Sequence, residues 1–263
     1  MLRLPISTWT QRYLQSGRGG LCGADQVTLS VVAAEGSDQY ENGHFAMATT
    51  DMDGTTEGSF ALNEDAFIDF AYLAVHHTAE VSKALIKQYY GQEHTYAYFN
   101  GCSDGGREAV MSALRYPEDF NGIVAGAPAF LFQFQNSFHH AWDALSNLEP
   151  RRHLEPFYSG PIDEGSGEHL TVGEMQFGSE NGWIDVGVPA TDGGSVPSES
   201  MALSTLRYLI FKDVPGANYT LHDLVFANST IDLLQPHHPF LDAVSPDLSA
   251  FREAGGKLIL WHG

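Results

Sequence analysis

Hydrophobic and polar positions alternate along residues 9–16 (Trp-Thr-Gln-Arg-Tyr-Leu-Gln-Ser). That is the period of a strand, and it runs into the glycine-dense segment Gly17-Arg18-Gly19-Gly20-Leu21-Cys22-Gly23. Residues 44–50 predict a second short strand, followed by a polar loop over 51–58. The spacing then changes: Phe67, Phe70, Ala74, Val75, Val81, Leu85 and Tyr89 fall mostly at helical intervals. A long helix is expected there, capped by Asn63 and ended by Gly91. Alternating aromatic and small residues return in Tyr96-Ala97-Tyr98-Phe99-Asn100. A helical pattern through Val110, Met111, Leu114 and Arg115 comes next, then an apolar run over 121–129. Strand, helix, strand, helix, strand by about residue 129 predicts an α/β fold with a mostly parallel sheet covered on both faces.

Beyond that point the pattern fades. Residues 130–240 mix aromatics, Gly, Pro and acidic residues without a sustained period, which is too long for a loop. An inserted lid or cap is expected, with a helix near residues 199–211. Residues 247–252 predict a short helix, and Lys257–Trp261 a further buried strand ending in His262-Gly263. The domain reading is a core over 1–129, a cap over 130–240, and a return to the core over 241–263.

Composition narrows the function classes. A length of 263 residues suggests one large domain, or one with an insertion. A formal charge of −20 argues against nucleic acid or anionic membrane as partner, because phosphate recognition needs clustered Lys and Arg. It fits solubility in an acidic or extracellular medium. No apolar run approaches the ~20 residues of a membrane span, and no apolar stretch after Met1-Leu2-Arg3-Leu4-Pro5 reads as a signal peptide. Asn218-Tyr219-Thr220 and Asn228-Ser229-Thr230 are glycosylation acceptors in an exported chain. The cysteine count, 2, is too low for a disulfide scaffold.

The chemistry concentrates at Gly101-Cys102-Ser103-Asp104-Gly105-Gly106-Arg107. Strand, glycine-flanked Ser, helix is the context of a nucleophile elbow, in which a strained turn lifts the hydroxyl above the sheet. Ser103 is the expected nucleophile. The Asp104 N–H and an N–H of Gly19 or Gly20 are the expected oxyanion donors, because the loop after an early strand supplies one of them in such enzymes. Asp51, Asp53 and Glu57 lack the spacing of a calcium loop, and no metal ligand is assigned. Of the adjacent His76 and His77, one is expected to be a hydrogen-bonded packing residue. A Ser nucleophile also needs a base and an orienting acid, which in elbow hydrolases follow at later strand ends. Asp242, Asp247, His222, His237 and His238 do not stand in that order, so the chain reads as ending before its acid and base.

Together with Arg115-Tyr116-Pro117-Glu118-Asp119-Phe120 and Ala125-Gly126-Ala127-Pro128-Ala129, the elbow segment resembles the tannase and feruloyl esterase family of serine esterases. The resemblance covers residues 4–23, 63–129 and 247–263. It implies an α/β-hydrolase core, secretion, no cofactor, and a substrate that is a small aromatic ester, or a phenolic ester on polysaccharide or tannin. Gallate and ferulate are examples of the acid. It also implies a disulfide from Cys102 to a cysteine that follows the catalytic His. No His-Cys dipeptide stands in this sequence, so the partner lies beyond residue 263 or is Cys22. Family caps carry an Asp-rich calcium site, whereas this cap offers Asp163-Glu164 and Asp185 without cysteines, so calcium is not expected. Rival readings are a binding-only or incomplete member of that family and, with less support from the glycine-rich cap, a lipase or peptidase.

Overall fold

The structure, a computed structural model, describes residues 1–21, 42–55, 57–148, 155–171, 175–183, 186–189, 191, 194, 196–234 and 237–262. Among the described residues six strands form one sheet: β1 (Leu2–Arg3), β2 (Arg12–Ser16), β3 (Phe45–Ala48), β4 (Tyr96–Cys102), β5 (Gly122–Gly126) and β6 (Lys257–Trp261). Their spatial order is β1-β3-β2-β4-β5-β6. β1 is antiparallel to β3 and every other pairing is parallel. Ser16 pairs with Asn100, Cys102 with Gly126, and Gly126 with Trp261. The carboxyl ends of β2, β4, β5 and β6 therefore share one edge of the sheet.

Small and aromatic side chains fill the central strands. Tyr13, Ala46, Ala97, Phe99, Ile123 and Ala125 are all buried. The Tyr13 hydroxyl stays satisfied by donating to Gln15 Oε1 at 2.7 Å, and Gln15 Nε2 donates to the Val75 carbonyl at 2.8 Å.

Asn63 caps α1 (Glu64–Ile68), its side-chain oxygen accepting the Asp65 and Ala66 N–H groups at 2.9 and 3.2 Å. A π turn, Asp69–Leu73, leads into α2 (Ala74–Tyr90), which ends at Gly91 with φ 70°. The π turn corrects the expected helix face. It adds one residue to the helical repeat, so the buried stripe becomes Phe70, Val75, Ala79, Ser82 and Ile86. Val81, Leu85 and Tyr89 are turned outward, 58%, 43% and 56% exposed. α3 (Asp104–Arg115) is buried from Asp104 to Ala113.

β6 falls where the sequence puts it, but it is not the buried strand expected. It pairs only with β5, at the edge of the sheet. Ile259, Leu260 and Trp261 are 61%, 51% and 37% exposed. An apolar run fits an edge strand as well as a central one when periodicity is the only guide.

The chain divides into two compact units: Met1–Thr56 with Phe60–Phe132 and Pro239–Gly263, and Glu57–Ser59 with Gln133–His238. The second contains a π turn, Gln135–His139, continued by α4 (His140–Leu148), and α5 (Pro197–Tyr208) packed against it. Phe138, Ala141, Ala144, Ala202 and Leu206 are buried there. α6 (Ser249–Glu253) precedes β6 in the first unit.

Candidate active site

β4 passes into α3 through a single residue, Ser103, at φ 61° and ψ −121°. A residue with a β-carbon held there stores ~1–3 kcal/mol of strain and persists only when its surroundings fix it. They do so here. Its N–H donates to the Gly126 carbonyl at 3.0 Å, and its carbonyl accepts N–H groups from Gly106, Arg107 and Ala129 at 3.0, 3.1 and 3.1 Å. Strand and helix meet so closely that a β-carbon on Gly101 would stand 2.2 Å from the Gly105 carbonyl oxygen. Ser103 itself is exposed, at the N-terminus of α3, where the helix dipole favours negative charge.

The loop after β2 lies against this elbow. A β-carbon on Gly105 would come within 2.8 Å of the Arg18 carbonyl oxygen and 3.0 Å of the Gly17 carbonyl carbon. The Gly17 N–H donates to the Asn100 carbonyl at 2.8 Å, and the Arg18 N–H to Glu108 Oε1 at 3.1 Å. Among the described residues, the N–H groups of Gly19, Gly20 and Asp104 have no protein acceptor. Those are the three groups proposed from sequence as oxyanion donors. The structure brings the elbow and the loop together.

Beneath the elbow lie three ionisable side chains, Asp104, Arg107 and Glu108, and the sequence showed no partners for the last two. Arg107 Nε donates to Asp104 Oδ1 at 2.5 Å, and Nη2 to Oδ2 at 3.3 Å. Arg107 also donates to the carbonyls of Ala71 and Phe70, at 2.8 and 3.2 Å, within the π turn. Its guanidinium lies 5.0 Å from the ring centres of both Phe70 and Phe132. Burial pushes the Asp104 carboxyl up, and the Arg107 charge opposes it. Burial, with the Asp104 carboxylate nearby, pushes Glu108 up to about 8. The available signal was a pair of charged residues in the first turns of a helix otherwise made of small and apolar ones.

His76 is the packing histidine foreseen: its Nδ1 is 2.7 Å from Asp119 Oδ2, and its ring stacks on Tyr116 at 3.8 Å. That cluster precedes β5, at the amino ends of the strands. Cys102 is a half-buried free thiol among the described residues. Its alternative partner Cys22, like Asp185, lies outside them.

Asp163 does not fit a calcium site. Both of its oxygens accept N–H groups: Oδ1 from Gly165 and Ser166 at 2.9 Å each, and Oδ2 from the Asn228 backbone at 2.9 Å and side chain at 3.2 Å. Those bonds hold its carboxyl down to about 2. No group of three or more candidate metal ligands stands among the described residues.

Residues 1–156 match the family model described as tannase and feruloyl esterase. A probable feruloyl esterase B-1 of Neosartorya fischeri is 40% identical over 98% of this chain and 58% of its own length. Feruloyl esterase B of Aspergillus niger is 26% identical, over 97% and 57%. The crystal structure of feruloyl esterase B from Aspergillus oryzae superposes with TM-score 0.71 at 24% identity, over 98% of this chain and 60% of that one. Tannin acyl hydrolase from Aspergillus niger superposes with TM-score 0.61 at 20% identity, over the same shares. These likenesses carry the α/β-hydrolase fold, and the chain spans somewhat under two thirds of the length of each of these relatives.

Proposed function

Because the chain belongs to the tannase and feruloyl esterase family, we propose that it is a carboxylic ester hydrolase for esters of phenolic acids such as gallate or ferulate, with Ser103 as nucleophile. The observation that supports this most is the exposed Ser103 at φ 61°, fixed between β4 and the N-terminus of α3. Ser103 Oγ bonds to the ester carbonyl carbon while its proton passes to a base, and the carbonyl electron pair moves onto oxygen. The N–H groups of Asp104 and of Gly19 or Gly20 receive that oxyanion. Collapse expels the alcohol, which takes up the proton. Water then repeats the sequence on the acyl-enzyme, releasing the aromatic acid and restoring the hydroxyl. None of these steps calls on a cofactor.

The test is covalent labelling by a fluorophosphonate probe together with hydrolysis of methyl gallate and methyl ferulate. Labelling and turnover should both vanish in Ser103→Ala. Labelling that survives the substitution rejects Ser103 as nucleophile. A second reading is a binding-only or incomplete member of the family. Turnover of either ester by the 263-residue chain at ordinary enzymatic rates eliminates it.

The finer features belong to the same proposal. The protein acts outside the cell, its 130–240 segment contributes substrate recognition as a lid, and Cys102 forms a disulfide. Among the described residues no helix is long and apolar enough to cross a membrane. Asn218 and Asn228 are both exposed, as N-glycosylation requires. Mass spectrometry of the protein purified from its natural source, with and without reduction, reads both modifications.

A further inference from the structure

Glu108 is a carboxylic acid with only 3% exposure, on a helix whose buried positions are otherwise mostly small or apolar. Burying a carboxyl group is costly, and packing alone would be served by Leu or Met. What the acid does is bind the neighbouring loop. Oε1 accepts the Arg18 N–H at 3.1 Å, and Oε2 lies 2.9 Å from where a β-carbon on Gly17 would stand. The preceding N–H, that of Gly17, is held by β4 through the Asn100 carbonyl. Two successive N–H groups are thus drawn into the fold. The next two, on Gly19 and Gly20, are left without an acceptor among the described residues.

We propose that Glu108 is a positioning residue for acyl transfer at Ser103: by taking the Arg18 N–H it ties the loop after β2 to the helix that begins at Ser103, which keeps the Gly19 and Gly20 N–H groups open to the ester oxygen. The proposal rests on the esterase reading above. Glu108 sits one helical turn beyond Asp104, the source of the other oxyanion donor, so one side chain sets the separation between the two halves of the hole. Sequence position places these halves 84 residues apart, Gly20 to Asp104, and their mutual geometry has to be fixed by a contact of this kind. A missing oxyanion donor lowers kcat by ~10²–10³-fold, and a loosened one falls toward that range.

The experiment compares the full-length protein as wild type, Glu108→Gln, Glu108→Leu and Glu108→Met. Gln keeps an acceptor oxygen; Leu and Met keep volume without one, and Met serves if Leu does not fold. On methyl ferulate, Leu or Met should lower kcat by ~10²-fold with KM nearly unchanged, and Gln should restore most of the loss. Amide hydrogen exchange at Arg18 should be slow in wild type and Gln, and fast in Leu or Met. Equal kcat in all variants, or a loss the Gln variant shares in full, overturns the proposal. If wild type cleaves no phenolic ester, the esterase reading fails, and the exchange measurement decides the loop contact separately. Arg18 exchange as fast in wild type as in Glu108→Met overturns it.

Discussion

Arg107 and Asp104 form an ion pair, Nε to Oδ1 at 2.5 Å, with side-chain exposures of 0% and 3%. Removing one partner of such a pair leaves an uncompensated buried charge, worth about 3–5 kcal/mol. Arg107→Leu should lose that much in urea unfolding. The loss also reflects the carbonyls of Phe70 and Ala71, which the π turn leaves for Arg107 to satisfy. Adding Asp104→Asn to Arg107→Leu should recover part of the stability. If the single variant unfolds at the wild-type urea concentration, the pair has no such role.

The backbone at Ser103 predicts that glycine replaces it at less cost than alanine. At φ 61° glycine is unstrained and alanine is not. Ser103→Gly should therefore melt higher than Ser103→Ala, by a difference equivalent to ~1 kcal/mol. Equal melting temperatures for these two variants would contradict a strained elbow.

Gly101→Ala should be among the most damaging one-carbon changes in the first unit. The new β-carbon meets the Gly105 carbonyl carbon at 2.4 Å as well as its oxygen at 2.2 Å. Both atoms are backbone, so relief requires strand and helix to part. A destabilisation of at least ~1–3 kcal/mol is expected, with loss of probe labelling at Ser103. Circular dichroism during urea titration measures the first, and gel fluorescence the second.

Two carboxyl groups predict opposite pH limbs. Glu108, raised to about 8 by burial and the Asp104 carboxylate against the pull of Arg107 and Arg18, binds its proton more tightly in the folded protein. Its contribution is fully present below the ordinary value near 4.5 and is lost as pH rises through about 8. Asp163, lowered to about 2, contributes above its ordinary 3.8, and that contribution is lost as pH falls through about 2. Urea midpoints measured from pH 2 to 9 should flatten at the alkaline side in Glu108→Gln and at the acid side in Asp163→Asn. A Glu108→Gln profile parallel to wild type between pH 5 and 8 would refute the first assignment.

Much of this was legible in the chain itself, for identifiable reasons. Lys257–Trp261, the Asn63 cap and the elbow at Ser103 depend on local residue types, and each stands where the pattern puts it. The two π turns, Asp69–Leu73 and Gln135–His139, have no residue signature. The first rotated the buried face of the helix away from Val81, Leu85 and Tyr89. The second interrupted the period that would have announced α4. The elbow at Ser103 was readable because glycines bracket it. Arg107 and Glu108 were not, because their partners, the Phe70 and Ala71 carbonyls and the Arg18 N–H, are distant in sequence.

The parallel run of β2, β4 and β5 gives the sheet two unlike rims. At one, Ser103 and the glycine loop emerge. At the other, His76 and Lys83 gather on Asp119 just before β5 begins. The whole length of a strand separates the His76–Asp119 cluster from the elbow at Ser103. An engineer seeking a hardier protein can work on the far rim, around His76 and Asp119, a strand's length from Ser103.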